Sequence, residues 1–260
     1  MASPDSTESQ LLERSELLAK LRQLAEQARG GSGSVALITG EAGVGKSSLA
    51  NAFLAEIDHG RVGRGGCEAL FTPRPLGPLH DIARELRGDL LRVLIDEAPR
   101  PRIFATLLDI LDSEPIVLLI EDVHWADEAT LDMLKFLGRR IGATRALLLV
   151  TYRDDAVGPQ HPLRSVLGDL PASVTHRIPV APLSRAAVER RAERANRHDP
   201  RIYERTGGNP FYVTELLATP DALPASVRDA VFARAQRLSA DAQRALEATS
   251  IVPGRVEQWL

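Results

Sequence analysis

Eight consecutive residues, Gly40-Glu41-Ala42-Gly43-Val44-Gly45-Lys46-Ser47, restrict this chain more than any other feature. They match G-x-x-x-x-G-K-[ST] in full, the pattern of a backbone loop that wraps a phosphate group. Glycines at 40, 43 and 45 let successive N–H groups turn inward toward one anion. Ser34 to Thr39 (SVALIT) reads as a buried strand leading into the loop, and helical spacing resumes from Ser47 to Ile57. The positive end of that helix adds to the same spot. Lys46 supplies a compact ammonium to β- and γ-phosphates, a geometry that arginine's planar fork does not reproduce. Its identity carries weight, because only three of the 32 basic residues are lysine (Lys20, Lys46 and Lys135). Ser47 offers a hydroxyl to Mg²⁺. Gly40, Glu41, Ala42, Gly43, Val44, Gly45, Lys46, Ser47 and Ser48 are therefore the expected nucleotide-binding residues.

A phosphate loop of this kind needs a second strand ending in acid, to hold Mg²⁺ through its water shell and to orient a water for attack. Ile116 to Ile120 is an uninterrupted apolar run that ends in Glu121 and Asp122. Tandem acids divide the labour: Glu121 with Ser47 on the metal, Asp122 on the water, with the reverse assignment left open. Two acids at a strand end also suit a plain loop start. Thr151-Tyr152-Arg153-Asp154 closes the next apolar strand. From there Arg153 can reach a γ-phosphate, or else pair with Asp154 or Asp155. His124 and Trp125 either line the site or anchor its loop. Glu121, Asp122 and Arg153 are the expected catalytic residues.

The rest of the chain fixes the fold class. Leu17, Leu21, Leu24 and Ala28 recur at helical spacing within 11–29. A second strand is expected within Arg61–Leu70, weakened by its glycines. Helical pieces occupy 73–114, broken by Pro75, Pro78, Pro99 and Pro101. A helix over 128–140 has Asp127 as its N-cap. Ala146–Tyr152 and Thr175–Val180 are two further strands. Strands apolar on both faces and alternating with helices predict an α/β fold, a parallel sheet with helices on both faces, over 11–182. A smaller all-helical part follows. Residues 183–225 read as a helical lid segment and 226–260 as the start of a winged-helix-like segment, apparently truncated. Residues 1–10 are polar and read as disordered.

Composition removes several function classes. The net charge of −3 gives no basic field for nucleic acid or an anionic membrane. Seven arginines between Arg185 and Arg205 are interleaved with Glu189, Glu193, Asp199 and Glu204, which reads as a solvated helix face. The one cysteine, Cys67, allows no internal disulfide or cysteine zinc site, and the six histidines are scattered. No apolar run approaches the roughly 18 residues of a membrane span. A soluble, cytoplasmic protein with no membrane partner is expected.

The combination EDVHWAD (121–127), TYRD (151–154) and GGNPF (207–211), with the phosphate loop and LLERSE (11–16), resembles the signal-transduction ATPases called STAND. The form it resembles is the one at the N-terminus of large LuxR-type transcriptional regulators. The resemblance runs from Leu11 to Leu260. It implies a slowly hydrolysing, Mg-dependent ATPase that acts as a switch, closed with ADP and open with ATP, answering an unknown inducer or regulatory protein. It also implies that Arg14 and Pro210 lie near the adenine. Glu13 replaces the glycine usual before that arginine, and Pro210 equally suits the start of a helix after a Gly-Gly-Asn turn. DNA would be met only through a C-terminal module that this chain lacks, and nucleotide-dependent self-association is left open. A stand-alone metabolic phosphotransferase or ATPase is the competing class, although no acceptor-site acid/base pair or arginine-rich lid accompanies the loop.

Overall fold

The computed structural model describes residues 11–57, 60–197 and 199–218, and beyond these 228–229, 231–232, 235–236 and 238–250. The expected disorder of residues 1–10 and the chain's last ten residues lie outside them, as does much of the expected winged-helix-like segment. The chain divides into two compact units, 1–183 and 184–260.

In the first unit, five strands form one fully parallel sheet: β1 (Ser34–Thr39), β2 (Arg61–Gly66), β3 (Ile116–Glu121), β4 (Ala146–Tyr152) and β5 (Thr175–Pro179), in the order β2-β3-β4-β1-β5. From β1 the chain crosses to the far edge, steps back through β3 and β4, and then passes to the other side of β1. Ligands bind at the carboxyl ends of strands where such a reversal occurs. The expected α/β phosphate-loop fold is the one observed.

The period-2 alternation of a strand sorts the core into two layers. Ala36, Ile38, Val117, Leu119, Leu147 and Leu149 face α1 (Ser15–Arg29) and α2 (Lys46–Ala55), packing with Leu18, Leu21, Leu24, Leu49 and Phe53. Val35, Leu37, Leu118, Ile120, Leu148 and Val150 face the opposite way. They pack against α3 (Gly77–Leu86), α4 (Gly88–Ile95), α5 (Arg100–Ser113), α6 (Glu128–Gly138) and α7 (Pro162–Asp169). Both faces of the central strands are therefore covered, which is why they read as continuous apolar runs.

The edge strand β2 is shorter than its sequence span, and two of its three glycines, Gly63 and Gly65, are there for a steric reason. Its residues pair with β3 from Arg61↔Ile116 to Gly66↔Glu121. A Cβ on Gly65 would lie 2.1 Å from the Pro78 carbonyl oxygen, and one on Gly63 would lie 2.9 Å from Ile82 Cγ2. The glycines that make this strand hard to recognise are what let α3 lie directly on it.

The second unit is helical where described: α8 (Arg185–Arg194), α9 (Ile202–Thr206), α10 (Pro210–Ala218) and α11 (Ala240–Ser250). Arg185 pairs with Glu204 and Arg205 with Asp199 at exposed positions, as a solvated face would. Among the described residues no helix is long and apolar enough to cross a membrane.

Gly65→Ala is expected to lower unfolding stability by about 1–3 kcal/mol, because the new methyl group meets backbone rather than a movable side chain. Gly66→Ala, whose Cβ would meet nothing within 4 Å, is the control and should shift stability far less. Denaturant midpoints of the two variants check this.

Candidate functional site: the phosphate loop and its facing strand ends

The loop leaves β1 at Thr39 and enters α2 at Lys46. Gly40, Gly43 and Gly45 have φ of 140°, 78° and 99°, in the left-handed region that side-chain-bearing residues avoid. A Cβ on Gly40 would also lie 2.6 Å from the Val180 carbonyl oxygen. Gly45 is the N-cap of α2 and brings no capping side chain, so the first-turn amides of that helix face outward beside exposed Ser47 and Ser48.

Lys46 is 7% exposed. Its Nζ donates to the carbonyl oxygens of Gly40 (2.7 Å) and Glu41 (2.8 Å), closing the loop on its own helix. Burial holds the ammonium below the ordinary lysine range, while Asp122, Asp155 and Asp154 pull it back up and Arg153 adds to the lowering. The site's charges thus act on one another across three strand ends.

Glu121 closes β3 against Gly66, and its carbonyl accepts the Cys67 N–H at 2.9 Å. Asp122 follows in a left-handed conformation (φ 53°) that turns the chain out of the sheet. Its amide donates to Thr151 Oγ1 of β4 at 3.0 Å, so a buried hydroxyl of the intervening strand fixes where the acid begins. Thr151 was not singled out from the sequence, because its bond depends on the β3–β4 register.

Asp127, the last acid of EDVHWAD, is structural. Its Oδ1 accepts the N–H groups of Thr130 (3.1 Å) and Leu76 (3.2 Å), capping α6 and tying the entry of α3 to it. The intervening turn, Val123–Trp125, places His124 in the interior. His161 caps α7 by accepting the Leu163 N–H on Nδ1 (3.2 Å). Its proton therefore sits on Nε2, which donates to the His124 carbonyl at 3.1 Å.

Arg153 leaves β4 and points its guanidinium at Asp155, with Nε–Oδ1 at 3.4 Å and Nη2–Oδ2 at 3.2 Å. Of the two arrangements open to it, the ion pair is the observed one. Its side chain is 16% exposed, and its charge is felt at both Lys46 and His124.

Arg14 is 5% exposed and donates to the carbonyls of Val44 (3.3 Å) and Ala181 (2.5 Å), joining the phosphate loop to the end of β5. Glu13 before it has φ 60°, the backbone for which glycine is best suited. Pro210, in the second unit, is the first residue of α10. Asn209 Oδ1 accepts the Phe211 N–H there (3.1 Å), and Gly207 and Gly208 turn left-handed to end α9. That is the helix-start geometry.

The donor set fits Mg²⁺. A serine hydroxyl and one carboxylate are hard oxygen ligands, and this ion takes few protein ligands, completing its octahedron with phosphate and water. Among the described residues no three His, Cys, Asp or Glu converge on one metal position.

A glycine loop between strand and helix, with an acid-ended strand separated from it by one intervening strand, defines a phosphate-loop nucleoside triphosphatase fold. The family model of the AAA ATPase domain matches residues 10–150, and the chain belongs to that family. No curated protein matches the sequence. Among solved structures, the Walker-type ATPase of Pyrococcus abyssi is similar at 18% identity, with 81% of this chain and 69% of that one covered and a TM-score of 0.56. The ORC2 protein of Aeropyrum pernix, in ADPNP and ADP complexes, is similar at 18% identity, with 96% and 70% covered and a TM-score of 0.53. A STAND protein with a tetratricopeptide repeat sensor from Pyrococcus horikoshii is similar at 19% identity and a TM-score of 0.50, with 92% of this chain but 35% of that one covered. At these identities the likeness is one of fold.

Arg14→Ala should cost about 1–3 kcal/mol of stability, chiefly because the buried Val44 carbonyl loses a charged donor, with the Ala181 carbonyl at the edge of the loop losing the same donor. Chemical denaturation against wild type measures it, and an unchanged midpoint would show that water replaces the guanidinium.

Proposed function

We propose that this chain is an ATP-binding, slowly hydrolysing, Mg-dependent switch domain of the STAND type, closed with ADP and open with ATP. We further propose that it serves as the N-terminal part of a LuxR-type transcriptional regulator. The observation that carries the ATPase part is the geometry of the glycine loop, which ends in buried Lys46 at the start of α2 and lies one intervening strand away from β3, whose end carries Glu121 and Asp122. The switch and LuxR parts rest on EDVHWAD, TYRD and GGNPF, and are in keeping with the fold likeness to a STAND protein.

In this reading the amides of 40–47 and the Lys46 ammonium bind the β- and γ-phosphates, and Lys46 exchanges its two carbonyl partners for phosphate oxygens. Ser47 and Glu121 would hold Mg²⁺, which when bound offsets phosphate charge. Asp122 accepts a proton from the attacking water, and Arg153 leaves Asp155 to meet charge on the γ-phosphate. Arg14 and Pro210 meet the adenine. Residues 183–225 act as the lid, answering an inducer or regulatory protein, while DNA contact belongs to a separate C-terminal module.

Lys46→Ala should weaken Mg-ATP binding by about two orders of magnitude, the worth of charge-assisted bonds to phosphate, as read by calorimetry. Asp122→Asn should keep ATP bound while slowing phosphate release about 10²-fold or more, whereas Glu121→Gln should weaken Mg²⁺-dependent binding. Exchanged phenotypes would exchange the two roles, and unchanged affinity in Lys46→Ala would end the phosphate-loop reading.

The switch has its own test. A ligand moves an equilibrium only by its difference in affinity for the two states, so ADP and a non-hydrolysable ATP analogue must act differently. Limited proteolysis across 182–225 should give one cleavage pattern with ADP and another with the analogue. Identical patterns with ADP, with the analogue and with neither would leave an ATPase domain without a switch.

A further inference from the structure

Two acids follow Arg153, and the structure gives them different tasks. Asp154 serves the backbone: its Oδ1 accepts the Asp155 N–H at 3.1 Å within the single turn Asp154–Ala156. The Ala156 N–H closes that turn by donating to the Arg153 carbonyl at 3.2 Å. Residue 155 is thereby brought back against residue 153, and local chain geometry alone sets the Asp155 carboxylate on the Arg153 guanidinium. The contact is loose. Its distances, 3.2 and 3.4 Å, exceed the roughly 2.7–2.9 Å of a strong charged pair.

The two partners differ in freedom. The Arg153 side chain is 16% exposed and that of Asp155 is 42% exposed, so the acid can swing into solvent more easily than the cation can. Both charges reach further into the site. Burial comes first in lowering the proton affinity of Lys46 and of His124; Arg153 lowers both further, and Asp155 raises both. Asp154 acts on Lys46 in the same sense but less strongly. Asp155 thus supplies, at this end of the site, what a phosphate oxygen would supply: a negative charge among cations.

We propose that Asp155 is an internal stand-in for the γ-phosphate and so a specificity-determining residue that touches no nucleotide. It occupies the Arg153 guanidinium when ADP or no nucleotide is bound, and ATP must displace it. This rests on the reading of Arg153 as the residue that meets the γ-phosphate. Specificity is a difference of affinities, and a competitor that only ATP has to displace lowers the affinity for ATP without touching that for ADP. A carboxylate that merely closed a turn would act on both nucleotides alike.

The quantity to measure is the preference for ATP, the ratio of the ADP dissociation constant to that of the β,γ-imido analogue of ATP, by calorimetry with Mg²⁺. Asp155→Asn should raise the preference about three- to fivefold, the ceiling for an ion pair with an exposed partner. Asp155→Glu keeps the charge and should return it to within about twofold of wild type. Asp154→Asn removes an equal charge one residue away. It should move both affinities together and leave the preference nearly fixed.

The decisive variant is the double one. In an Arg153→Ala background the effect of Asp155→Asn on the preference should vanish, because no guanidinium remains to be released. An effect that persists there, or that Asp154→Asn reproduces, would be a general charge effect and overturns the proposal. An unchanged preference in Asp155→Asn, alongside a fall in Arg153→Ala, overturns it too while leaving Arg153 as the γ-phosphate contact. If Arg153→Ala leaves the preference unchanged, the reading of Arg153 fails and the role of Asp155 fails with it.

Discussion

A nearly buried ammonium must find acceptors, and the phosphate loop is shaped around that requirement. Lys46 has two, the carbonyls of Gly40 and Glu41, both inside the loop that precedes it. Those carbonyls reach the first residue of α2 only because the chain passes through left-handed backbone at 40, 43 and 45. The glycines therefore set the loop's curvature and, through it, the place of its charge. Asp122, Asp154 and Asp155 support that charge and Arg153 opposes it, so the acids at the strand ends stabilise the ammonium before any anion is considered.

Strand order then sets the working distance. With β4 between β1 and β3, the loop and the acid strand are two strand spacings apart, about 10 Å. That gap has room for a phosphoryl group and a water molecule, which adjacent strands would not leave. The intervening strand fills its middle with two devices: Thr151, which fixes the Asp122 backbone, and Arg153, which brings a cation. Both sit where β4 ends, and β4 is buried at every position, so neither can drift without disturbing the core.

Much of this was legible in the residues. SVALIT and ALLLVTY begin and end as strands where their apolar runs do, and IVLLI extends one residue further into Glu121. The N-cap role of Asp127 was legible too, because a capping acid acts on amides three residues away. What was hidden depends on distant partners. The extent of β2 was obscured because glycine density signals a loop locally, while here it records the approach of Pro78 and Ile82. Thr151 and the burial of His124 follow from register and packing that no short window contains. Arg14 was visible only through resemblance, since its partners Val44 and Ala181 lie 30 and 167 residues away.

The cations of the site share a property that bears on discrimination between nucleotides. Lys46 holds loop carbonyls, Arg14 holds Val44 and Ala181, and Arg153 holds Asp155. Any phosphate oxygen must therefore replace an existing bond, and binding gains only the difference. For Lys46 the exchange is from neutral carbonyls to an anion, which favours phosphate strongly. For Arg153 it is from one anion to another, across an ion pair whose acid is well exposed and therefore worth about 1 kcal/mol or less. If ADP and ATP are distinguished at this end of the site, the difference arises at the residues that the γ-phosphate alone reaches. In the proposed switch, a weak Arg153–Asp155 pair would keep that exchange nearly balanced, so that a modest change elsewhere in the chain could decide which state is populated.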